Sequence, residues 1–476
     1  MVFSSLFFIY FFLALNLFIY SRAHKITTKN VIMLIFSLVF YSWGGPRYLI
    51  LLIAMTLISW SMALAMERYN DHRKVFLILA CVLELGLLGI FKYTGFILGS
   101  LQAATGFPEV IPQIALPIGI SFYTFQLLSY VIDVYRGEVR AQKKFWLLLL
   151  YASLFHQCIA GPIVRYKDVE RDIHHRIIKI NEVNQGIKRF CVGLAKKAIL
   201  ANGCAAIADT FLITNDVRAL ANVSALGLWL GMLCFMLQIY LDFSAYSDMA
   251  IGMGLMIGFH YKENFNYPYI ASSITDFWRR WHISLSTFFR DYVYIPLGGS
   301  RKGTGRMILN LFIVWFLTGM WHGASWNYIL WGLYFFVFLV IEKQFLLKHL
   351  SAIPKFVGHI YALVIIYFGW ILFKFEDLTA LGTVFKGLFG LNGNNIFDLQ
   401  TGLMFENNIF FLIFAVIAVT PFFKWIRQRL IQWFKKRKDI PYPIYAYEII
   451  LPVVLLILST MALVGNSYNP FLYFQF

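Results

Sequence analysis

The apolar run Val2 to Tyr20 is closed at once by Arg22, Lys25 and Lys29, and that unit, a membrane-length apolar stretch ended by Lys and Arg, recurs along the chain. It leaves few folds open. About 20 residues at 1.5 Å rise cross the hydrocarbon of a bilayer. There every backbone N–H and C=O has to be satisfied inside the segment, so continuous apolar runs become helices. Composition closes the alternative: 60% of the 476 residues are hydrophobic and 14% charged, whereas a soluble domain carries about 25% charged residues. The net charge of +17 would suggest a polyanionic ligand in a soluble chain. Here the Lys and Arg fall between apolar runs, the pattern of cytoplasmic loops. The charge therefore reports topology: membrane lipid is an expected partner and nucleic acid is not.

Val2 to Tyr20 lacks the basic start and small-residue cleavage site of a secretory signal and reads as a retained first helix, with the N-terminus extracytoplasmic. Val31 to Trp43, the Gly44-Gly45-Pro46 turn and Leu49 to Met66 make a pair returning to Arg68, Arg73 and Lys74. Val75 to Leu101 runs outward to Gln102 to Pro117, which contains no Lys or Arg, and Ile118 to Tyr135 returns to Arg136, Arg140, Lys143 and Lys144. Glu84 and Lys92 share roughly one face of the fourth run, which favours mutual or water-mediated pairing over a direct role at a site. Phe145 to Val164 is the first irregular run: both flanks are basic, and His156, Gln157 and Gly161-Pro162 interrupt it. A re-entrant segment is expected there. Irregular backbone at membrane depth needs protein or a cavity around it, which implies a funnel open to the cytoplasm with the basic stretch Arg165 to Lys197 at its mouth. That stretch suits an anionic donor and ordinary lipid headgroups equally.

Leu200 to Ile213 and Ala221 to Phe259 follow, the second carrying Gln238, Asp242, Ser244, Ser247 and Asp248, a cluster unsuited to lipid. Tyr261 to Tyr294 interleaves tryptophan with arginine, which reads as a helix lying in the interface; His282 is the residue this leaves unexplained. Pro296 to Gly303 is a glycine-rich basic turn without the Walker spacing. Met307 to Met320 and Trp326 to Ile341 flank His322, placing an ionisable group at or near bilayer depth, by default a functional-site hypothesis. Ile360 to Phe375, Ile409 to Phe423, a basic block (Lys424, Arg427, Arg429, Lys435, Lys436, Arg437, Lys438) and Ile449 to Val464 close the chain. The expected fold class is all-α: a polytopic membrane protein of roughly 10–12 membrane helices, with re-entrant and interfacial segments around a central funnel. One integral domain, 1–476, divides into N-terminal helices (1–144), a core (145–345) and C-terminal helices (346–476).

Cys81, Cys158, Cys191, Cys204 and Cys234 are isolated in apolar surroundings and read as reduced, packed side chains. No metal is expected. A Gly-x-Ser-x-Gly elbow, a His-Glu-x-x-His helix and a histidine with Asp five residues on are all missing. A histidine in an apolar setting remains suited to take a proton from a hydroxyl near neutral pH.

The succession Ile159-Ala-Gly-Pro-Ile-Val-Arg-Tyr166, Gln238-Ile-Tyr-Leu-Asp-Phe-Ser-Ala-Tyr-Ser-Asp248, Asn264-Phe-Asn-Tyr-Pro-Tyr269, Asp276-Phe-Trp-Arg-Arg-Trp-His-Ile-Ser-Leu-Ser286, Arg290-Asp-Tyr-Val-Tyr-Ile-Pro-Leu-Gly-Gly299 and Trp321-His-Gly-Ala-Ser-Trp326 resembles the membrane-bound O-acyltransferase family, and within it the bacterial alginate O-acetyltransferase branch. The resemblance runs from about Phe91 to Gly332. It implies that His322 is the active-site histidine and His282 a second, more variable polar position, both deep in the membrane where a cytoplasmic funnel and an extracytoplasmic opening nearly meet. An acyl thioester, acetyl-CoA in this branch, is then attacked by an acceptor hydroxyl, with His322 as general base and His282 orienting the donor or polarising its carbonyl. Arg165, Asp242, Asn264, Trp278, Arg279, Arg280, Trp321, Ser325 and Asn327 become candidates for the donor site and funnel, with no tightly bound cofactor.

The resemblance further implies a bacterial cytoplasmic membrane and O-acetylation of alginate, another exopolysaccharide or peptidoglycan. An extracytoplasmic SGNH/AlgJ-type acetyltransferase is the implied partner. The alternative within the family is D-alanyl transfer to teichoic acid (DltB-like), with an acyl carrier protein as donor. A different class, a transporter or export channel, would make a path of His322, Glu84, Asp133 and Asp242; it predicts pseudo-symmetric halves, and no inverted repeat is visible.

Overall fold

The computed structural model describes residues 1–108, 110–159, 161–350, 352–436, 442–465 and 471, with backbone alone for 434–436 and 442–445. Among these residues there is no strand, and nine helices are long and apolar enough to cross a membrane. The chain is a multi-pass, all-α membrane protein.

Phe8–Arg22 (α1) and Ile26–Ser42 (α2) are shorter apolar helices, and Pro46–Arg68 (α3) and Arg73–Thr105 (α4) are long ones. Pro46 opens α3, where its missing N–H costs nothing. Glu84 and Lys92 make no direct pair: the Glu84 carboxylate accepts from Ser59 Oγ at 2.7 Å, and Lys92 turns to another helix. Ile120–Arg136 (α5) lies between Gly119 and Gly137, at φ 76° and 75°.

Phe145–Ser153 (α6) rises beside α5, and the chain returns to the basic side without a second helix. Its flanks meet: Gln142 Nε2 donates to Tyr166 Oη at 2.8 Å, and the rings of Tyr130 and Tyr166 lie 5.1 Å apart. At the tip, a Cβ on Gly119 would come within 2.5 Å of the Cys158 carbonyl oxygen. Tyr130 and Gly119 are about three turns apart on α5, so the hairpin penetrates roughly 16 Å and comes back. Side chains satisfy its irregular backbone, as membrane depth demands: Tyr151 Oη donates to the Val164 carbonyl at 2.9 Å, Gln157 Nε2 to the Tyr151 carbonyl at 2.8 Å, and Ile163 N to Ser284 Oγ at 2.9 Å.

Tyr166–His174 (α7) leads into Ile180–Phe211 (α8), one helix of 32 residues where a span beginning at Leu200 was expected. It lies so close along Ala225–Ile257 (α9) that a Cβ on Gly186, Gly193 or Gly252 would meet the partner's backbone at 2.5, 2.7 and 2.7 Å. This contact neutralises the C-terminal end of the basic stretch Arg165 to Lys197. Lys197 pairs with Asp242 at 2.7 Å, both almost fully buried, Lys196 with Asp248 at 2.7 Å, and Arg189 with Asp248 at 3.0 Å. A cation carried to that depth is retained only when paired.

Tyr261 to Tyr294 is not one helix. It is broken into Ile274–Arg280 (α10), Ile283–Phe289 (α11) and a π-helical turn, Arg290–Tyr294, with Tyr267 and His282 at φ 47° and 44°. Charge counting missed which face the aromatics take. Phe277, Trp278 and Trp281 are buried against Trp370, Trp331 and Phe335, while Arg279 is exposed. Thr304–His322 (α12), Trp326–Leu350 (α13), Lys355–Lys374 (α14), Leu378–Leu388 (α15), Leu399–Ala418 (α16), Phe422–Lys436 (α17) and Tyr442–Val464 (α18) complete the bundle. Arg437 and Lys438 of the C-terminal basic block lie outside the described residues.

Candidate active site

His322 is the last residue of α12, and the turn Gly323 to Ser325 sends the chain back along α13. Two glycines let these helices touch: a Cβ on Gly319 would meet the Tyr328 carbonyl oxygen, and one on Gly332 the Trp315 carbonyl oxygen. Gly323 lies under the Tyr328 ring, leaving no room for a side chain there. The His322 ring, 5% exposed, meets three aromatic rings at steep angles: Trp331 at 4.8 Å, Trp321 at 4.9 Å and Phe373 at 5.3 Å. Asn327 Nδ2 donates to the carbonyls of Leu372 and Phe373 at 3.2 and 3.3 Å, so this residue pins the end of α14 that supplies one of those rings.

His282 is held differently. It caps α11 in the left-handed region and is 1% exposed. Asn264 Oδ1 accepts three bonds, from His282 Nδ1 at 3.1 Å, Ser284 N at 3.2 Å and Ser284 Oγ at 2.8 Å. Asn264 Nδ2 in turn donates to Ser247 Oγ on α9 at 3.1 Å. An amide oxygen only accepts, so Nδ1 carries the proton and Nε2 presents a lone pair. That Nε2 is buried with no protein partner among the described residues. Trp321 joins the two sites, its ring 5.7 Å from His282 and 4.9 Å from His322.

Of the residues expected at the donor site or funnel, Asn264, Trp321 and Asn327 gather at the histidines, and Trp278 buttresses them by packing 5.6 Å from Trp331 and 4.7 Å from Trp315. Ser325 stands partly exposed at the N-cap of α13. The rest are held in ion pairs or exposed. Arg165 is paired with Asp291 at 2.9 Å beneath the hairpin, Asp242 with Lys197, and Arg280 with Asp276 at 2.9 Å; Arg279 is exposed. Of the path His322, Glu84, Asp133 and Asp242 considered for a transporter, the three carboxylates are engaged by Ser59, by Tyr292 with Lys167, and by Lys197, respectively. Among the described residues no group of three His, Cys, Asp or Glu side chains is placed to hold a metal.

Sequence reasoning missed Lys92 and Tyr93, which reach across from α4: Lys92 Nζ donates to the Trp321 carbonyl, and Tyr93 Oη to the Met320 carbonyl at 2.8 Å. Nothing in a lysine within an apolar run says which helix end it meets. Phe373, likewise unforeseen, comes from α14 outside the motifs.

The MBOAT, membrane-bound O-acyltransferase family, matches residues 144–379. The chain is 38% identical, over the full length of both sequences, to a probable alginate O-acetylase AlgI of Azotobacter vinelandii. It is 30% identical to a peptidoglycan O-acetyltransferase of Helicobacter pylori, over 92% of this chain and 90% of that one. It is also 30% identical to a teichoic acid D-alanyltransferase of Bacillus subtilis, over 48% of this chain and 59% of that one. Relatives alignable from end to end and a family match over the core agree: the chain belongs to the membrane-bound O-acyltransferase family and is an enzyme of that class.

Proposed function

We propose that the enzyme moves an acetyl group from a cytoplasmic thioester, acetyl-CoA, to O-acetylate an extracytoplasmic polysaccharide such as alginate, another exopolysaccharide or peptidoglycan. It works from the bacterial inner membrane, with its N-terminus outside and a secreted SGNH/AlgJ-type acetyltransferase as partner. The observation that carries the chemistry is the pair of buried imidazoles on Trp321. The acceptor hydroxyl loses its proton to His322 as its oxygen forms a bond to the thioester carbon. The C–S bond breaks, and the departing thiolate takes that proton from the imidazolium, so the histidine finishes neutral. The Asn264 bond leaves His282 Nε2 as an acceptor, which suits orienting the donor through an N–H, such as an amide of a pantetheine arm, better than polarising its carbonyl. The acetyl reading is supported by the relatives that align over nearly their whole length, two of them named for O-acetylation.

The test is transfer by the purified protein in membrane vesicles of known orientation, given radiolabelled acetyl-CoA on one face and a polysaccharide on the other. Wild type consumes donor added to the cytoplasmic face, and His322→Ala lowers kcat roughly 10²- to 10⁴-fold, the range of a lost general base. Label transfer by His322→Ala at the wild-type rate overturns the assignment. Activity with a D-alanyl carrier protein and none with acetyl-CoA replaces the acetyl reading with D-alanylation.

A further inference from the structure

Helix α12 stops abruptly. Gly323, beyond His322, is fully extended at φ −171° and ψ 158°, and the last carbonyls of α12, like those of any helix, have no N–H of the ladder ahead of them. Two of them are met by consecutive residues of a helix more than 220 residues away in sequence: Lys92 Nζ at the Trp321 carbonyl and Tyr93 Oη at the Met320 carbonyl. Lys92 Nζ also donates to Ser121 Oγ at 3.3 Å, in the first turn of α5. One turn further on, Phe96 packs 5.4 Å from Trp326, where α13 begins. Thus α4 grips both sides of the turn that carries His322.

Lys92 forms no ion pair among the described residues, and the one carboxylate on its helix face, Glu84, is taken by Ser59. A lysine kept only to reach the headgroups would extend toward them. This one turns inward, to the carbonyl one residue before His322, where the negative end of the helix dipole favours a cation. We infer that Lys92, assisted by Tyr93, is a positioning residue: it fixes the last turn of α12 against α4 and α5 and thereby sets where the His322 ring stands relative to the thioester. The inference rests on the reading of His322 as the base.

Purified Lys92→Met, Lys92→Arg and Tyr93→Phe are compared with wild type for kcat, KM for acetyl-CoA and thermal midpoint, with Glu84→Gln as a control on the same helix that does not touch α12. Lys92→Met lowers kcat roughly 10- to 100-fold, as an ångström-scale misplacement does, and leaves KM within about threefold. Lys92→Arg, which can still donate to the carbonyl, recovers most of kcat. Tyr93→Phe loses about threefold, the scale of one net hydrogen bond. A folded Lys92→Met with kcat within about twofold of wild type overturns the inference, as does a Lys92→Arg no more active than Lys92→Met. Should Lys92→Met not accumulate, Tyr93→Phe decides, an unchanged kcat counting against the inference. Since His322→Ala is measured alongside, an inactive His322→Ala beside an unaffected Lys92→Met refutes the positioning role alone, whereas an active His322→Ala refutes the base.

Discussion

The two histidines occupy neighbouring ground and are held by opposite means. His322 ends a regular helix; backbone contacts through Gly319 and Gly332 and the rings of Trp321, Trp331 and Phe373 define its place. His282 interrupts two short helices in a left-handed conformation, which costs a non-glycine residue about 1–3 kcal/mol, and side-chain hydrogen bonds through Asn264 and Ser284 hold it there. Packing of this kind fixes where a ring stands. A polar network fixes the tautomer as well, and its links can be cut one at a time. Disturbing the first site should therefore move helices, and disturbing the second should change chemistry while the bundle stays intact.

The largest effect expected from this contrast comes at the helix contact. In Gly332→Ala the new methyl runs into the Trp315 carbonyl oxygen and close to Gly319 Cα, backbone atoms that cannot rotate away. The helices must separate, at a cost of about 1–3 kcal/mol typical of overpacking. Thermal midpoint and kcat should fall together, the latter more than tenfold. A variant with wild-type stability and rate would mean that the α12–α13 contact does not set the position of His322.

Asn264→Ala should behave in the other way. It leaves His282 Nδ1–H, Ser284 N and Ser284 Oγ without their common acceptor, and orphaned buried donors cost about 1–3 kcal/mol. Separately from stability, a wrong His282 tautomer or ring orientation should lower kcat roughly 10- to 100-fold. Asn264→Asp keeps the accepting oxygen and should recover most of the rate. Equal loss of kcat in Asn264→Ala and Asn264→Asp would erase the distinction between the sites.

The same contrast explains what the sequence made legible. Membrane helices read well, because an apolar run bounded by Lys and Arg has few other fates. The hairpin after Lys144 read well because basic flanks at both ends favour the same side of the membrane. His322 was legible as an ionisable group between two spans. The environment of His282 was not: a tryptophan beside arginine has the same composition in an interfacial helix and in a buried broken one, and only the packing of Trp281 on Trp370, 4.8 Å apart, decides. The pairing of the α8 cations was hidden for a similar reason. Sequence shows that Arg189, Lys196 and Lys197 are basic, but not that glycines at 186, 193 and 252 bring α9 close enough to neutralise them.

The smallest effect lies at the far end of the polar network. Ile163 N binds Ser284 Oγ, so the scaffold of His282 continues into the hairpin, and two residues on Arg165 anchors the hairpin's return to Asp291 at 2.9 Å. Burial alone would raise the Asp291 carboxyl, but hydrogen bonds from Arg290 and Arg165, with their charges, outweigh it and hold the group below the ordinary carboxylate range. A depressed folded-state value stabilises above the unfolded pKa, near 4, and the contribution is lost as pH falls through the folded value. The carboxylate is partly exposed, so solvent screening limits the pair to about 1 kcal/mol or less. Asp291→Asn should accordingly lower the thermal midpoint by on the order of 1 °C, uniformly from about pH 8 to pH 5, with the gap from wild type closing below about pH 4. Its kcat should drop less than that of Asn264→Ala, because the disturbance reaches His282 only through the hairpin. A gap that widens on acidification would contradict the sign of the shift, and a kcat loss matching Asn264→Ala would place Asp291 within the site.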